Sequence, residues 1–304
     1  MATKSVKNPP MPGWHPSLGK VFKDAELWWQ TNMVKRNLLD ELLNALKVEL
    51  EKPGPPRGAI SALYRISHVY SMQCCTKAAI DDKQVLSQAM SRAVFFRALD
   101  FRAEASLSLP HSHQPVLAFW SSMKAASAVM LGDWDLAEVC ARLLVDVGEK
   151  DLRVNPSQKD GWRRGTNDAF LISLLAEAFG LDTSFGRYVP LIPEYRGLLD
   201  TWRTENADAF RSAMQRAADF HISRSREGTN KMTYEFEKSF DCVYPGELLA
   251  VQSLRRRRGL PYIETGHPLI DQPWALISEL EPAVPHPLAI EVEERLRRDY
   301  PSFR

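Results

Sequence analysis

Residues 130–144 read MLGDWDLAEVCARLL, and their apolar pattern is the clearest indication of the fold class. Apolar residues recur there and just beyond at intervals of three and four, which is the period of an α-helix with one buried face. The residues on this face are Leu136, Val139, Cys140, Leu143, Leu144 and Val147. The pattern predicts that one helix ends before a short polar turn and that the next begins near Ala137, where a small side chain allows close helix packing.

A second stretch, TWRTENADAFRSAMQRAADF at residues 201–220, repeats this arrangement with Ala209 in place of Ala137. Two such hairpins resemble the stacked helix pairs of tetratricopeptide-like arrays, although the period is not sustained through the chain. Similar apolar stripes lie between most of the prolines, which mark joints between elements. We therefore predict an all-α fold, an irregular bundle of about ten helices that is tetratricopeptide-like in places.

The proline positions also predict the organisation of the chain. We expect a flexible N-terminal segment at residues 1–20, an N-terminal helical half at 21–110 and a C-terminal helical half at 111–304. The two halves are expected to pack together as one globular unit.

Composition excludes several classes of partner. The chain has 304 residues, 39 Lys and Arg against 38 Asp and Glu, and a net charge of +1, so no strong field favours nucleic acid or an anionic membrane. Its four cysteines form neither a disulfide framework nor a zinc spacing, which predicts reduced thiols. No apolar run reads as a signal peptide or a membrane span, so we expect a cytoplasmic protein.

Few residues suggest catalysis or metal binding. His111 and His113 are spaced so that both could touch a metal, but they lie in a proline-bounded linker without further ligands. Asp81 and Asp82 precede a helical stripe, where capping of that helix explains them. Phosphate-binding loops and nucleophile motifs are absent from the sequence. The prediction is a protein that is not an enzyme and that binds no metal or cofactor.

Two charged stretches leave alternatives open. Arg255 to Arg258 end a helix before Gly259, which favours a solvated helix end, with a protein-facing patch or a phosphate contact as alternatives. Tyr234 to Asp241 mix aromatic and acidic residues, as protein interfaces do, but a buried joint between helices is the favoured interpretation.

The stretch LLAVQSLRRRRGLPYIETGHPLI, residues 248–270, resembles the ending of the all-helical bacterial immunity proteins of the "immunity protein 49" type. The shared features are a Leu/Ala-rich helix closed by basic residues and Gly259, the step Leu260-Pro261, an extended piece with Glu264, and the turn Pro268-Leu269. Residues 130–140 and 205–221 are similar to earlier segments of that family. The resemblance covers roughly residues 114–276.

The resemblance implies an immunity protein that binds and neutralises a cognate antibacterial toxin by occluding its active site, without nucleic acid, membrane or metal. Residues of the two charged stretches, together with Glu247, are the candidate contacts with the toxin: Tyr234, Glu235, Glu237, Asp241, Glu247, Arg255 and Arg256. The alternative is a helical-repeat-like adaptor or scaffold that binds a partner protein.

Overall fold

The computed structural model of the protein describes residues 14–53, 57–108, 119–156, 165–229, 233–280 and 285–304. These ranges contain fifteen α-helices and no β-strand, which confirms the all-α prediction. Twelve helices have seven or more residues, and the longest has 26. In chain order they are α1 (Gly19–Trp29), α2 (Leu38–Glu51), α3 (Arg57–Cys74), α4 (Lys77–Asp81), α5 (Lys83–Ser108), α6 (Phe119–Leu131), α7 (Trp134–Val154), α8 (Asn167–Phe179), α9 (Phe185–Tyr188), α10 (Pro193–Thr201), α11 (Ala207–Arg224), α12 (Ser239–Val243), α13 (Gly246–Arg257), α14 (Pro268–Ile277) and α15 (Pro287–Asp299).

The two predicted hairpins are present. Helices α6 and α7 pack against each other across a turn at Gly132, whose φ of 74° requires the left-handed region, and Asp133 caps α7 by accepting from the Leu136 amide at 3.3 Å. Helices α10 and α11 pack in the same way, and Asn206 caps α11. Local capping chemistry thus fixes both turns.

Three helix starts share an unusual cap, a histidine followed by proline. In His15-Pro16, His267-Pro268 and His286-Pro287, the histidine Nδ1 accepts a hydrogen bond from the amide two residues on, at 3.2 to 3.3 Å. Proline occupies the first helical position, where no donor is needed. The first pair opens a short 3-10 turn, and the other two open α14 and α15.

Helix α5 joins the two predicted halves of the chain. It packs on α3 and α4 from the N-terminal half and on α6 and α7 from the C-terminal half. Helix α15, from the far end of the sequence, returns to pack on α2 and α5. Helix α13 is buried on all sides from Gly246 to Arg255, and it packs against α6, α8, α11 and α14. The halves therefore interleave, with α5 packed between helices of both.

The N-terminal part of the described chain is packed. Residues 1–13 lie outside the described ranges, but Trp14 and Leu18, within the segment expected to be flexible, are buried. The Trp14 ring contacts Phe22 and Tyr244 edge to face, with centroids 5.3 and 5.6 Å apart. Because aromatic burial of this kind stabilises a docked segment, the residues from Trp14 onwards pack as part of the helical bundle.

One glycine is required by a close backbone approach. Gly165 has a φ of 72°, and a Cβ atom there would lie 2.2 Å from the carbonyl oxygen of Pro190. Its own carbonyl accepts from the Ile192 amide at 3.1 Å. The start of α8 is thereby held against the segment that precedes α10.

Candidate functional site

A cleft of about 470 Å³ lies between α3, α5 and α6, and the segment 237–241 forms one of its walls. The volume falls in the range of small-molecule sites. We refer to it below as the cleft. It is lined by Ile60, Ser61, Tyr64, Ser67, His68, Ser71, Met72, Arg97, Asp100, Glu104, Trp120, Lys124, Glu237, Lys238, Ser239, Phe240 and Asp241.

Two buried ion pairs hold the walls of the cleft together. Arg97 donates to Asp241 Oδ1 at 2.5 Å and to Ser127 Oγ at 3.0 Å, which ties α5 to α12 and α6. Lys124 Nζ lies 2.7 Å from Asp100 Oδ2 and 3.3 Å from Glu104 Oε2. Burial raises the pKa of Asp100 against the attraction of Lys124, whereas the two carboxylates raise the pKa of Lys124 despite its burial.

Two polar groups of α3 are left facing the cleft. Ser71 is only 3% exposed, and its Oγ has no hydrogen-bond partner in the described part of the chain. His68 lies one turn earlier on the same helix, with Trp28 packed edge to face on its ring at 5.2 Å. Burial lowers the pKa of His68 to about 4, helped by the nearby charges of Lys238 and Arg97. The imidazole is therefore neutral at pH 7.

One feature of the sequence, separate from the apolar stripes, points to this cleft. Within the apolar run of α5, Arg97, Asp100 and Glu104 recur at intervals of three and four, so they share one helix face beside the buried stripe. Charged residues inside an apolar helix are rarely buried unless they are paired. Such a row predicts that a neighbouring helix supplies a charged partner, but it does not tell which helix. In the structure the partner is Lys124 of α6.

The structure separates the seven predicted contact residues into two groups. Four are buried: Glu235, Asp241, Glu247 and Arg255. A partner at the described surface does not reach these side chains in this conformation. Tyr234 and Glu237 are partly exposed, and Arg256 is exposed.

The buried members have internal partners. Glu235 accepts from Arg224 Nε at 2.5 Å, and Glu247 Oε1 lies 2.6 Å from His221 Nδ1 and 3.3 Å from the Tyr195 hydroxyl. Because Phe236 and Phe240 are buried as well, four of the eight residues of the stretch 234–241 are buried between helices, which agrees in part with the favoured interpretation.

The arginine run is not a uniformly solvated helix end. Arg255 is 1% exposed and donates to the carbonyl oxygens of Trp202, Thr204 and Pro261 at 2.7 to 3.1 Å. The other three arginines are exposed, and each guanidinium lies over an aromatic ring at 4.5 to 5.2 Å. The rings are Trp274 for Arg256, Trp134 for Arg257 and Trp202 for Arg258. Gly259 ends the helix with a φ of 70°, as expected.

The remaining sequence candidates have the following positions. Asp82 accepts from the amides of Gln84 and Val85 at 2.9 and 3.2 Å, so it caps α5 as predicted, and Asp81 is the last residue of α4. His111 and His113 lie outside the described residues. Among the residues that are described, no group of three or more His, Cys, Asp or Glu could hold a metal ion.

No helix in those ranges is long and apolar enough to cross a bilayer.

Comparison with protein-family models, with curated proteins and with solved structures finds no match to the chain.

Proposed function

We propose that the protein is an immunity protein that binds a cognate antibacterial toxin in the cytoplasm and occludes the toxin's active site. The observation that carries this proposal is the segment 248–270, whose sequence resembles the ending of such proteins. In the structure this segment is the central helix α13, its left-handed end at Gly259, an extended piece and the histidine-proline start of α14.

The exposed part of the 234–241 segment supplies the surface that we assign to the toxin. Tyr234 is partly exposed, and its ring lies under the guanidinium groups of Arg224 and Arg226 at 4.7 and 5.9 Å. Glu237 lines the cleft and pairs with Lys238 at 2.9 Å. An aromatic ring fixed in place among charged groups is the kind of anchor that dominates protein interfaces.

Co-expression with the product of the gene immediately upstream tests this proposal. We expect the neighbouring product to arrest growth when expressed alone, and this chain to restore growth and to co-purify with it. The double variant Tyr234→Ala/Glu237→Lys is expected to lose both rescue and complex. Tyr188→Ala removes an exposed tyrosine that does not line the cleft and serves as the matched control. A harmless neighbour that forms no complex would overturn the immunity role.

A second candidate is a helical-repeat-like adaptor that binds a partner protein. The hairpins α6–α7 and α10–α11 favour it, because stacked helix pairs are the building unit of such adaptors. The two functions differ in the same experiment, since an adaptor forms a complex without protecting the cell from a toxic neighbour.

A further inference from the structure

The cleft contains a buried hydroxyl that the protein itself leaves without a partner. Ser71 Oγ is buried in the wall formed by α3, and no described residue hydrogen-bonds to it. Leaving a buried polar group unsatisfied costs roughly 1–3 kcal/mol. Ser71 is one of the residues that line the cleft, so its unpartnered hydroxyl belongs to the wall against which a small molecule would bind.

His68 adds a second unused polar group on the same wall. No described residue hydrogen-bonds to its ring, and at pH 7 the neutral imidazole offers one N–H donor and one nitrogen acceptor. Ser71 follows it by three residues on α3, so both side chains lie on the same face of the helix. A ligand group that both donates and accepts, such as a hydroxyl, matches this pair.

The charges of the cleft argue against an ionic ligand. Each cation that lines it is already paired with a carboxylate: Arg97 with Asp241, Lys124 with Asp100 and Glu104, and Lys238 with Glu237. A charged ligand group at Arg97 or Lys124 would have to displace a buried pair, which is costly, and at Lys238 it would compete with Glu237. An uncharged ligand can bind without disturbing them.

Aromatic side chains also line the cleft. Tyr64 is 44% exposed, and Lys124 Nζ lies 5.6 Å from the centre of its ring. When a flat, weakly polar ring of a ligand packs on an exposed aromatic side chain in a cleft, both lose contact with water, and this burial favours binding.

We propose that the cleft binds an uncharged ring compound that carries hydroxyl groups, of the size of a nucleoside or a disaccharide. Its hydroxyls hydrogen-bond to Ser71 Oγ and the His68 ring, and its flat face packs on Tyr64. The cleft shares Glu237 with the surface that we assign to the toxin, but Ser71, His68 and Tyr64, which hold the ligand, are not part of that surface. Nucleosides and neutral sugars share the required chemistry, and the experiment below distinguishes them.

Titration of the full chain by calorimetry, supported by saturation-transfer NMR, tests the proposal. The neutral probes are adenosine, uridine, maltose and N-acetylglucosamine, and the charged counterparts are AMP and glucosamine. We expect saturable binding of the nucleosides or of the sugars, and at least about tenfold weaker binding of the charged counterpart of whichever class binds. No saturable binding of any neutral probe, or tighter binding of the charged counterparts, would overturn the proposal.

Variants of two buried serines connect the binding to the cleft. Ser71→Ala is expected to weaken binding by about twofold to tenfold, as loss of one neutral hydrogen bond does. Ser71→Leu, which fills the space, is expected to abolish it. Ser122→Ala is the matched control, because Ser122 is equally buried and unpartnered among the described residues but does not line the cleft.

Unchanged affinity in Ser71→Ala would overturn the site even if Ser71→Leu failed to fold. Weakening by Ser122→Ala equal to that by Ser71→Ala would overturn it as well. Circular dichroism of each variant reports whether the fold is retained.

Discussion

The guanidinium of Arg97 and the carboxylate of Asp241 meet at 2.5 Å, although 144 residues separate them in the sequence. Both side chains are almost fully buried, at 8% and 4% exposure. The pair connects the long helix α5 to the short helix α12 at the wall of the cleft. Its burial leads to a direct prediction about stability.

Breaking this pair from one side is expected to destabilise the protein strongly. Asp241→Ala leaves a buried guanidinium without its counter-charge, which costs about 3–5 kcal/mol in the free energy of unfolding. The double variant Arg97→Met/Asp241→Leu removes both charges and should be more stable than Asp241→Ala alone. Arg142→Ala, which breaks an exposed pair with Glu138, should cost less than about 1 kcal/mol. Urea denaturation at pH 7 measures all three, and equal losses for the buried and the exposed pair would contradict the prediction.

His68 is expected to make stability depend on pH in the acid range. Its pKa is about 4 in the folded protein against 6.5 in the unfolded chain, so the unfolded chain takes up a proton first as the pH falls. The free energy of unfolding should therefore decrease from about pH 6.5 down to about pH 4. His68→Gln should show a shallower decrease over this window, because it removes this proton uptake and leaves the other groups in place. Parallel curves for the two proteins would exclude His68 as a cause.

The histidine-proline caps are expected to need an acceptor at the histidine position. His286→Ala removes the acceptor for the Leu288 amide at the start of α15 and should cost about 0.5–2 kcal/mol. His286→Asn retains a side-chain acceptor and should recover most of this loss. Thermal unfolding of the two variants compares them directly, and equal melting temperatures would show that the histidine does not act as a cap.

Gly165 and Gly180 provide a matched pair of backbone positions. Both have positive φ, but a Cβ at Gly165 meets the Pro190 carbonyl at 2.2 Å, while a Cβ at Gly180 meets nothing within 4 Å. Gly180→Ala should cost about 1–2 kcal/mol from the left-handed backbone alone. Gly165→Ala adds a steric overlap and should cost clearly more. Similar losses for both variants would show that the backbone around Pro190 relaxes freely.

The four cysteines are expected to be unreactive in the folded protein. All are free and buried, and burial raises the pKa of every one, to about 12 for Cys140 and Cys242. Because the thiolate is the reactive form, Ellman's reagent should titrate none of them at pH 8 without denaturant and all four after unfolding. Rapid reaction of any thiol in the native protein would contradict the burial described.

The periodicity of the sequence predicted the helices well, and the partners of buried charges poorly. Stripes such as Leu143, Leu144 and Val147 report burial directly, since a helix face repeats every three to four residues. Glu247 and Arg255 were expected at the surface because charged residues usually lie there. Their burial depends on His221 and on the carbonyl oxygens of Trp202 and Thr204, which are distant in the sequence. Local pattern contains no information about such pairings.

The cleft was missed for the same reason. Its walls come from α3, α5, α6 and the segment 237–241, and no single stretch contains enough of them to form a recognisable motif. The charged row of α5 was visible, but its partner Lys124 lies on a different helix. The composition of residues 234–241 predicts an interface, and of the contacts predicted within this stretch only Tyr234 and Glu237 are partly exposed.

The distance along the sequence between the walls of the cleft also determines when it can form during synthesis. The hairpins of α3 with α5 and of α6 with α7 involve neighbouring helices, and each can pack as soon as it has emerged from the ribosome. Asp241 reaches Arg97, and the Tyr244 hydroxyl reaches the Cys74 carbonyl oxygen at 2.8 Å, only after about four fifths of the chain has been translated. A nascent or truncated chain that lacks residues 237–244 therefore has helices but no complete cleft.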